Sequence, residues 1–151
     1  PTDQLQFAYE LKVDGLSLSL EYAQRTLVRA ITRGDGTLGE DVTANAKTIA
    51  DIPLQLPLDA PEYCIIRGEV FLSRKRWEEL NQERDLLNET RFANPRNAAS
   101  GTMKLLDSGE VARRRLQFIP WQYFVLFFKC VFCSGDFLIS TYIKSKTSNL
   151  A

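Results

Sequence analysis

Between Leu16 and Tyr22 the chain alternates without a break: Leu16, Leu18, Leu20 and Tyr22 share one face, and Ser17, Ser19 and Glu21 the other. A period of two predicts a half-buried strand. Residues 5–11 (LQFAYEL) read as an extended segment ahead of it, and residues 27–33 (LVRAITR) as a further strand after a turn. A third strong strand signal covers residues 62–72 (EYCIIRGEVFL). It puts Arg67 and Glu69 on one face and Cys64, Ile66, Gly68, Val70 and Leu72 on the other. Helical spacing replaces alternation in three places. Residues 40–49 begin with two carboxylates, which favour a helix N-terminus. Residues 74–88 follow a capping Ser73 and repeat Trp77, Leu80 and Leu87 as a core stripe. Asn94 and Pro95 open the third, with the small residues Ala98–Gly101 suited to close packing. Prolines 53, 57 and 61 bracket a surface connection.

Composition changes this picture little. At 151 residues, 44% hydrophobic and 25% charged, the chain is long enough for one sizeable core and ordinary for a globular domain. The zero formal net charge hides an uneven spread. Residues 1–90 carry 10 Lys/Arg against 16 Asp/Glu, residues 91–115 carry 6 against 2, and residues 116–151 carry 3 against 1. The late basic excess fits contact with phosphate, although a solvated basic face is the commoner explanation of so modest an excess. Three cysteines and no histidine fall short of a structural zinc set, so Cys64, Cys130 and Cys133 read as free thiols of a reducing, cytoplasmic setting, with no metal site. No secretory leader opens the chain, and the uncharged run 116–128, broken by Pro120, is too short to span a membrane.

The candidate chemistry centres on Glu10-Leu11-Lys12-Val13-Asp14-Gly15, a lysine between two carboxylates where one strand finishes and another begins. Gly15 permits a sharp turn or a close approach. Taken alone, such a string is a solvated lysine at a strand end. The loop Gly34–Asp41 holds three glycines in six positions, the density of a backbone that takes positive φ or lies against a ligand. It lacks the G-K-[ST] of a phosphate-cradling loop, and Asp35, Glu40 and Asp41 disfavour bare phosphate there. Arg67 and Glu69, two apart on one strand face, read by default as a surface ion pair. Arg96 in the first turn of a helix opposes the helix dipole, a local cost that often has a functional reason. Lys104, eight residues on, can share its face.

With these residues in view, ELKVDG (10–15), TRGDGTLGEDVTANAKTI (32–49), RGEVF (67–71) and FANPRNAASGTMKLLD (92–107) together resemble the adenylation domain of bacterial NAD-dependent DNA ligase. The K-x-D-G string is shared with ATP-dependent ligases and capping enzymes, whereas the glycine loop and FANPRNAA in this order are specific to the NAD-dependent branch. The resemblance covers about residues 5–123. It implies an α+β nucleotidyltransferase fold, antiparallel sheets flanked by helices, here incomplete. It implies sealing of nicked double-stranded DNA, in replication and repair, through a lysyl-AMP intermediate formed from NAD with Mg2+. Lys12 would be the nucleophile, with Asp14 beside it in the catalytic motif. Glu10, Arg33 and Glu69 match residues that contact the nucleotide, and Arg96 and Lys104 match cations that meet phosphate of AMP or DNA. The amine of Lys12 must be neutral to attack, and Glu10 and Asp14 by themselves would hold its proton, so the chemistry needs nearby cations.

The departures are as informative. Lys104 stands where most members of that family carry a second arginine, which keeps the charge and loses the fork. Trp121 or Tyr123 falls near the family's adenine-stacking aromatic. After Phe124 the resemblance ends, so the expected division is a partial adenylation domain over 1–124 and an unrelated tail over 125–151, read as a truncation or a frameshifted end. The family's later D-G-x-V-x-K motif and final lysine do not occur. A monomer without membrane attachment is expected, itself unable to self-adenylate; the alternative is a non-catalytic nucleotide- or DNA-binding remnant.

Overall fold

Strand formation follows the alternation closely. The computed structural model describes residues 12–34 and 39–125. Within them lie four strands, β1 (Leu16–Ala23), β2 (Thr26–Thr32), β3 (Tyr63–Phe71) and β4 (Gln117–Val125), and four helices, α1 (Thr43–Ala46), α2 (Arg74–Leu86), α3 (Pro95–Met103) and α4 (Ser108–Arg114). The strands form one antiparallel sheet in the order β2-β1-β3-β4. The mixed α/β composition and wholly antiparallel pairing agree with the expected class. The extended segment at 5–11 lies outside the described residues.

The inner face of the sheet is the apolar half of each alternation. Leu18, Leu20 and Tyr22 of β1, Ala30 of β2 and Val70 of β3 are at most 1% exposed. Burying side chains such as Leu18 and Leu20 contributes about 1.5–3 kcal/mol each before entropy is counted. Ala98, Ala99 and Met103 of α3 are fully buried and complete this core. Small residues let the helix approach the sheet closely, as the run at 98–101 predicts, although Gly101 itself is exposed. The opposite face carries Ser17, Ser19 and Glu21, which pair in register with Glu69, Arg67 and Ile65 of β3.

Two helices differ from expectation. The helix predicted over 40–49 shrinks to the four residues of α1. Asp41 bridges Ile31, and the Val42 amide donates to the Ala30 carbonyl, so the chain from 39 to 42 runs alongside β2. Asp41 then accepts from the amide and hydroxyl of Thr43, a local turn that competes with helix. α2 starts where Ser73 predicts, with the Ser73 hydroxyl accepting from the Arg76 amide. Its stripe is shorter than the sequence suggests: Leu80 is buried and Trp77 half-buried, but Leu87 is 68% exposed beyond the last turn.

β4 begins in what reads as a featureless apolar run. Pro120 is tolerated there because the register slips beside it: Arg67 pairs with Gln122 and Gly68 with Pro120, leaving Trp121 as the extra residue of a bulge. Gly68 is required at this point, since a Cβ would lie 2.4 Å from the Ile119 carbonyl oxygen and 2.3 Å from the Phe118 ring.

Candidate functional site

The residues singled out in the sequence gather at one end of the sheet, where β1 begins, β2 ends and β3 ends. Lys12 is exposed and immediately precedes the turn into β1. That turn is pressed against β3. A Cβ on Gly15 would lie 2.1 Å from the Val70 carbonyl oxygen, so only glycine fits. Glu69 closes the contact: one carboxylate oxygen accepts from the Gly15 amide at 3.2 Å and the other from the Ser17 hydroxyl at 2.8 Å. Glu69 is therefore not the partner of Arg67. The Arg67 guanidinium instead lies 4.7 Å over the ring of Phe124 on β4.

Asp14 and Arg96 meet at 3.0 Å. Arg96 is placed there by a chain of local decisions. Asn94 caps α3 by accepting from the Asn97 amide at 2.7 Å, and Pro95 takes the first helical position. The approach to the cap is fixed by Phe92. Its carbonyl accepts from the Trp77 indole and the Asn81 side chain, and its amide donates to Asn81 Oδ1. The Phe92 ring sits between two guanidinium groups, Arg84 at 4.5 Å and Arg114 at 5.2 Å. Burial, followed by the nearby Arg84 charge, lowers the Arg114 pKa. The dipole conflict raised by Arg96 at a helix N-terminus is relieved by Asp14, a carboxylate brought to that same end.

Arg33 is exposed and directly follows β2, and its amide donates to the Ser17 carbonyl at 3.2 Å. Lys104 ends α3 and pairs with Glu40 at 2.9 Å. Glu40 in turn exchanges backbone and side-chain hydrogen bonds with Thr32, next to Arg33. Buried Asn45 donates to the carbonyls of Met103 and Leu105 on either side of Lys104. Arg96 and Lys104 are both exposed but serve different carboxylates, Asp14 and Glu40. Hydrogen bonds from Thr43 hold the Asp41 carboxyl below its ordinary pKa on this flank. A shallow hollow of about 190 Å³ lies between Glu40, Asp41, Asn45 and Lys104. A larger groove of about 590 Å³ runs between α2 and α4, lined by Arg76, Glu83, Arg113 and their neighbours, and takes in none of the predicted site residues.

Glu10, residues 35–38 of the glycine loop, Cys130 and Cys133 lie outside the described residues. Cys64 is a free, buried thiol whose pKa is raised by that burial. Among the described residues no three acidic or thiol groups come together as a metal site, and no helix is long and apolar enough to cross a membrane. Sequence reasoning did not nominate Ser17, Asn45, Asn81 or Phe92. For Ser17 the signal was present, because strand alternation puts it on the polar face, but its partner becomes legible only once β1 pairs with β3.

Known proteins resemble this chain over most of its length. Residues 1–132 match the family described as NAD-dependent DNA ligase adenylation domain. The chain belongs to that family. It is 49% identical over 112 residues to a DNA ligase of Chlamydia pneumoniae, covering 74% of this chain and 17% of that protein. It is 52% identical over 120 residues to a DNA ligase of Bartonella tribocorum, covering 80% and 17%. A DNA ligase of Wolinella succinogenes is 53% identical over 115 residues, covering 76% and 17%. The chain thus spans about one sixth, 17%, of the length of these relatives.

Proposed function

We propose that these residues form the AMP-accepting part of a nick-sealing enzyme and that Lys12 is its nucleophile. In this reading the neutral Nζ of Lys12 attacks the α-phosphorus of NAD. A P–N bond forms to give lysyl-AMP, the P–O bond to nicotinamide mononucleotide breaks, and the amine gives up its proton. The AMP would then pass to a DNA end and be displaced on sealing. The observation that carries the proposal is the Asp14–Arg96 pair beside the Lys12 turn. It supports the reading because it sets a guanidinium next to the lysine-bearing turn, where the charge of a bound phosphate would develop. Glu69 and Arg33, at the ends of the two strands flanking β1, would border the nucleotide, and Lys104 would add a cation on the β2 side.

Mg2+ takes oxygen ligands and is commonly bound through one or two carboxylates together with substrate phosphates. The ion is proposed to arrive with the NAD diphosphate. Nicked DNA, a cytoplasmic location and a monomeric state belong to the same proposal. A second reading is favoured by the 17% coverage of the relatives: a polypeptide of these 151 residues alone would be a nucleotide- or DNA-binding remnant without ligase activity.

The test is a chimaera in which residues 5–123 replace the matching segment of the Bartonella tribocorum relative. Incubated with NAD and Mg2+, it should gain the mass of AMP on Lys12, and Lys12→Ala should gain none, because no neighbouring group replaces the nucleophile. Labelling of Lys12→Ala at the parent level would reject the assignment.

A further inference from the structure

Ser17 touches both residues that border the candidate nucleotide site from the neighbouring strands. Its carbonyl accepts from the Arg33 amide at 3.2 Å on the β2 side. Its hydroxyl donates to Glu69 Oε2 at 2.8 Å on the β3 side, while Glu69 Oε1 accepts from the Gly15 amide at 3.2 Å. The register pairs Ser17 directly with Glu69, so the two side chains stand next to each other on one face of the sheet. A carboxylate at the end of a three-torsion side chain has many orientations open to it. Two donors on separate oxygens leave it one.

We propose that Ser17 is a positioning residue for the nucleotide. Its hydroxyl fixes the Glu69 carboxylate in the orientation that clasps the Lys12–Gly15 turn and presents the remaining lone pairs to a bound adenylate. This rests on the assignment of the site to AMP. Ser17 acts through Glu69 and does not touch the reacting atoms. Removing its hydroxyl frees the carboxylate to rotate into solvent, so AMP must then pay to order it, and the Gly15 amide loses a steady acceptor. The strand itself loses nothing else: Ser17 is half-buried on the polar face, and alanine keeps its Cβ.

The experiment titrates AMP into the isotope-labelled 151-residue chain and follows amide resonances, for the parent, Ser17→Ala and Ser17→Thr. Ser17→Ala should weaken AMP roughly five- to tenfold, the net worth of about one ordinary hydrogen bond, and should speed hydrogen exchange at the Gly15 amide. Ser17→Thr, which keeps the hydroxyl, should restore both. A purely structural hydroxyl would lower the melting temperature of Ser17→Ala and leave AMP affinity unchanged. Equal AMP affinity in the parent and Ser17→Ala overturns the inference, as does a threonine variant as weak as alanine. A parent chain whose resonances do not respond to AMP overturns the site assignment beneath it as well, and unchanged Gly15 exchange in Ser17→Ala overturns the clasp regardless of ligand.

Discussion

The Asp14 carboxylate and the Arg96 guanidinium meet at 3.0 Å across 82 residues of sequence, joining the turn that carries Lys12 to the first turn of α3. Both side chains are more than half exposed. Solvent screening therefore limits the pair's contribution to stability, and under the proposed function its role is to bring a cation to the turn that carries Lys12.

If the proposed site is right, Arg96→Ala should separate stability from activity. In the chimaera it should shift the urea midpoint by the equivalent of less than about 1 kcal/mol, while AMP attachment slows by at least about tenfold, because the cation proposed to face the phosphate is lost. Arg96→Lys should fall between the two, keeping charge without the planar fork. Parallel losses in stability and rate would make Arg96 a structural strut.

Glu69 makes a contrasting case. From the residues alone its default is half of a strand-face ion pair with Arg67, and the family resemblance makes it a nucleotide contact; in the structure it clasps Gly15 and Ser17, and Arg67 stacks on Phe124. Glu69→Gln keeps the shape and removes the charge. It should leave the circular dichroism of the chimaera unchanged and slow adenylation by about tenfold or more, with the effect on stability held to about 1–2 kcal/mol. Adenylation kinetics equal to the parent would confine Glu69 to holding two strands together.

Alkaline pH probes the core. Tyr22 is fully buried, its hydroxyl donates to the Pro53 carbonyl at 2.9 Å, and its pKa is pushed up to about 12, chiefly by burial and then by the neighbouring Cys64. A folded value above the unfolded one of about 10 favours the neutral form in the native state. Its contribution is complete below about pH 10 and is lost as the pH rises through about 12, an effect of at most about 3 kcal/mol. Urea midpoints at pH 8, 10 and 11 should fall for the parent. Tyr22→Phe should begin lower at pH 8, since the Pro53 carbonyl loses its donor, and decline less steeply above pH 10. Equal slopes would show that Tyr22 does not carry the alkaline transition.

Much of this architecture was legible in the residues. Unbroken alternation gives β1, because a period of two has one solution when one face must be buried, and the apolar runs at 27–33 and 62–72 give β2 and β3. Asn94-Pro95 gives the start of α3 for equally local reasons. Three features needed tertiary information. β4 carries no alternation, since Pro120 and the Trp121 bulge interrupt it, and it becomes a strand only through pairing with β3. The helix expected from Glu40 gives way to backbone bonding with β2, which outweighs the dipole preference of two carboxylates. The partners of Glu69 were hidden for the same reason: Arg67 is its near neighbour in sequence, while Gly15 and Ser17 lie across a strand pairing that no local pattern reveals.

The last expectation concerns the 151-residue polypeptide on its own. It should bind AMP weakly and form no bond to it. The proposed Lys12, Asp14 and Arg96 are present, yet these 151 residues contain neither the D-G-x-V-x-K motif nor the final lysine that the family resemblance implies as further cations. Charge stabilisation of that kind is worth several kcal/mol of barrier, so its loss costs orders of magnitude in rate. Attack also requires the departing nicotinamide mononucleotide to lie opposite the lysine, and alignment of that sort accounts for a large share of the barrier reduction in two-reactant steps. Intact mass spectrometry after incubation with NAD and Mg2+ should show only the unmodified chain, under conditions in which the chimaera is labelled. An AMP increment on Lys12 of the isolated chain would mean that the cations already present, Arg96 foremost among them, are enough to drive the transfer.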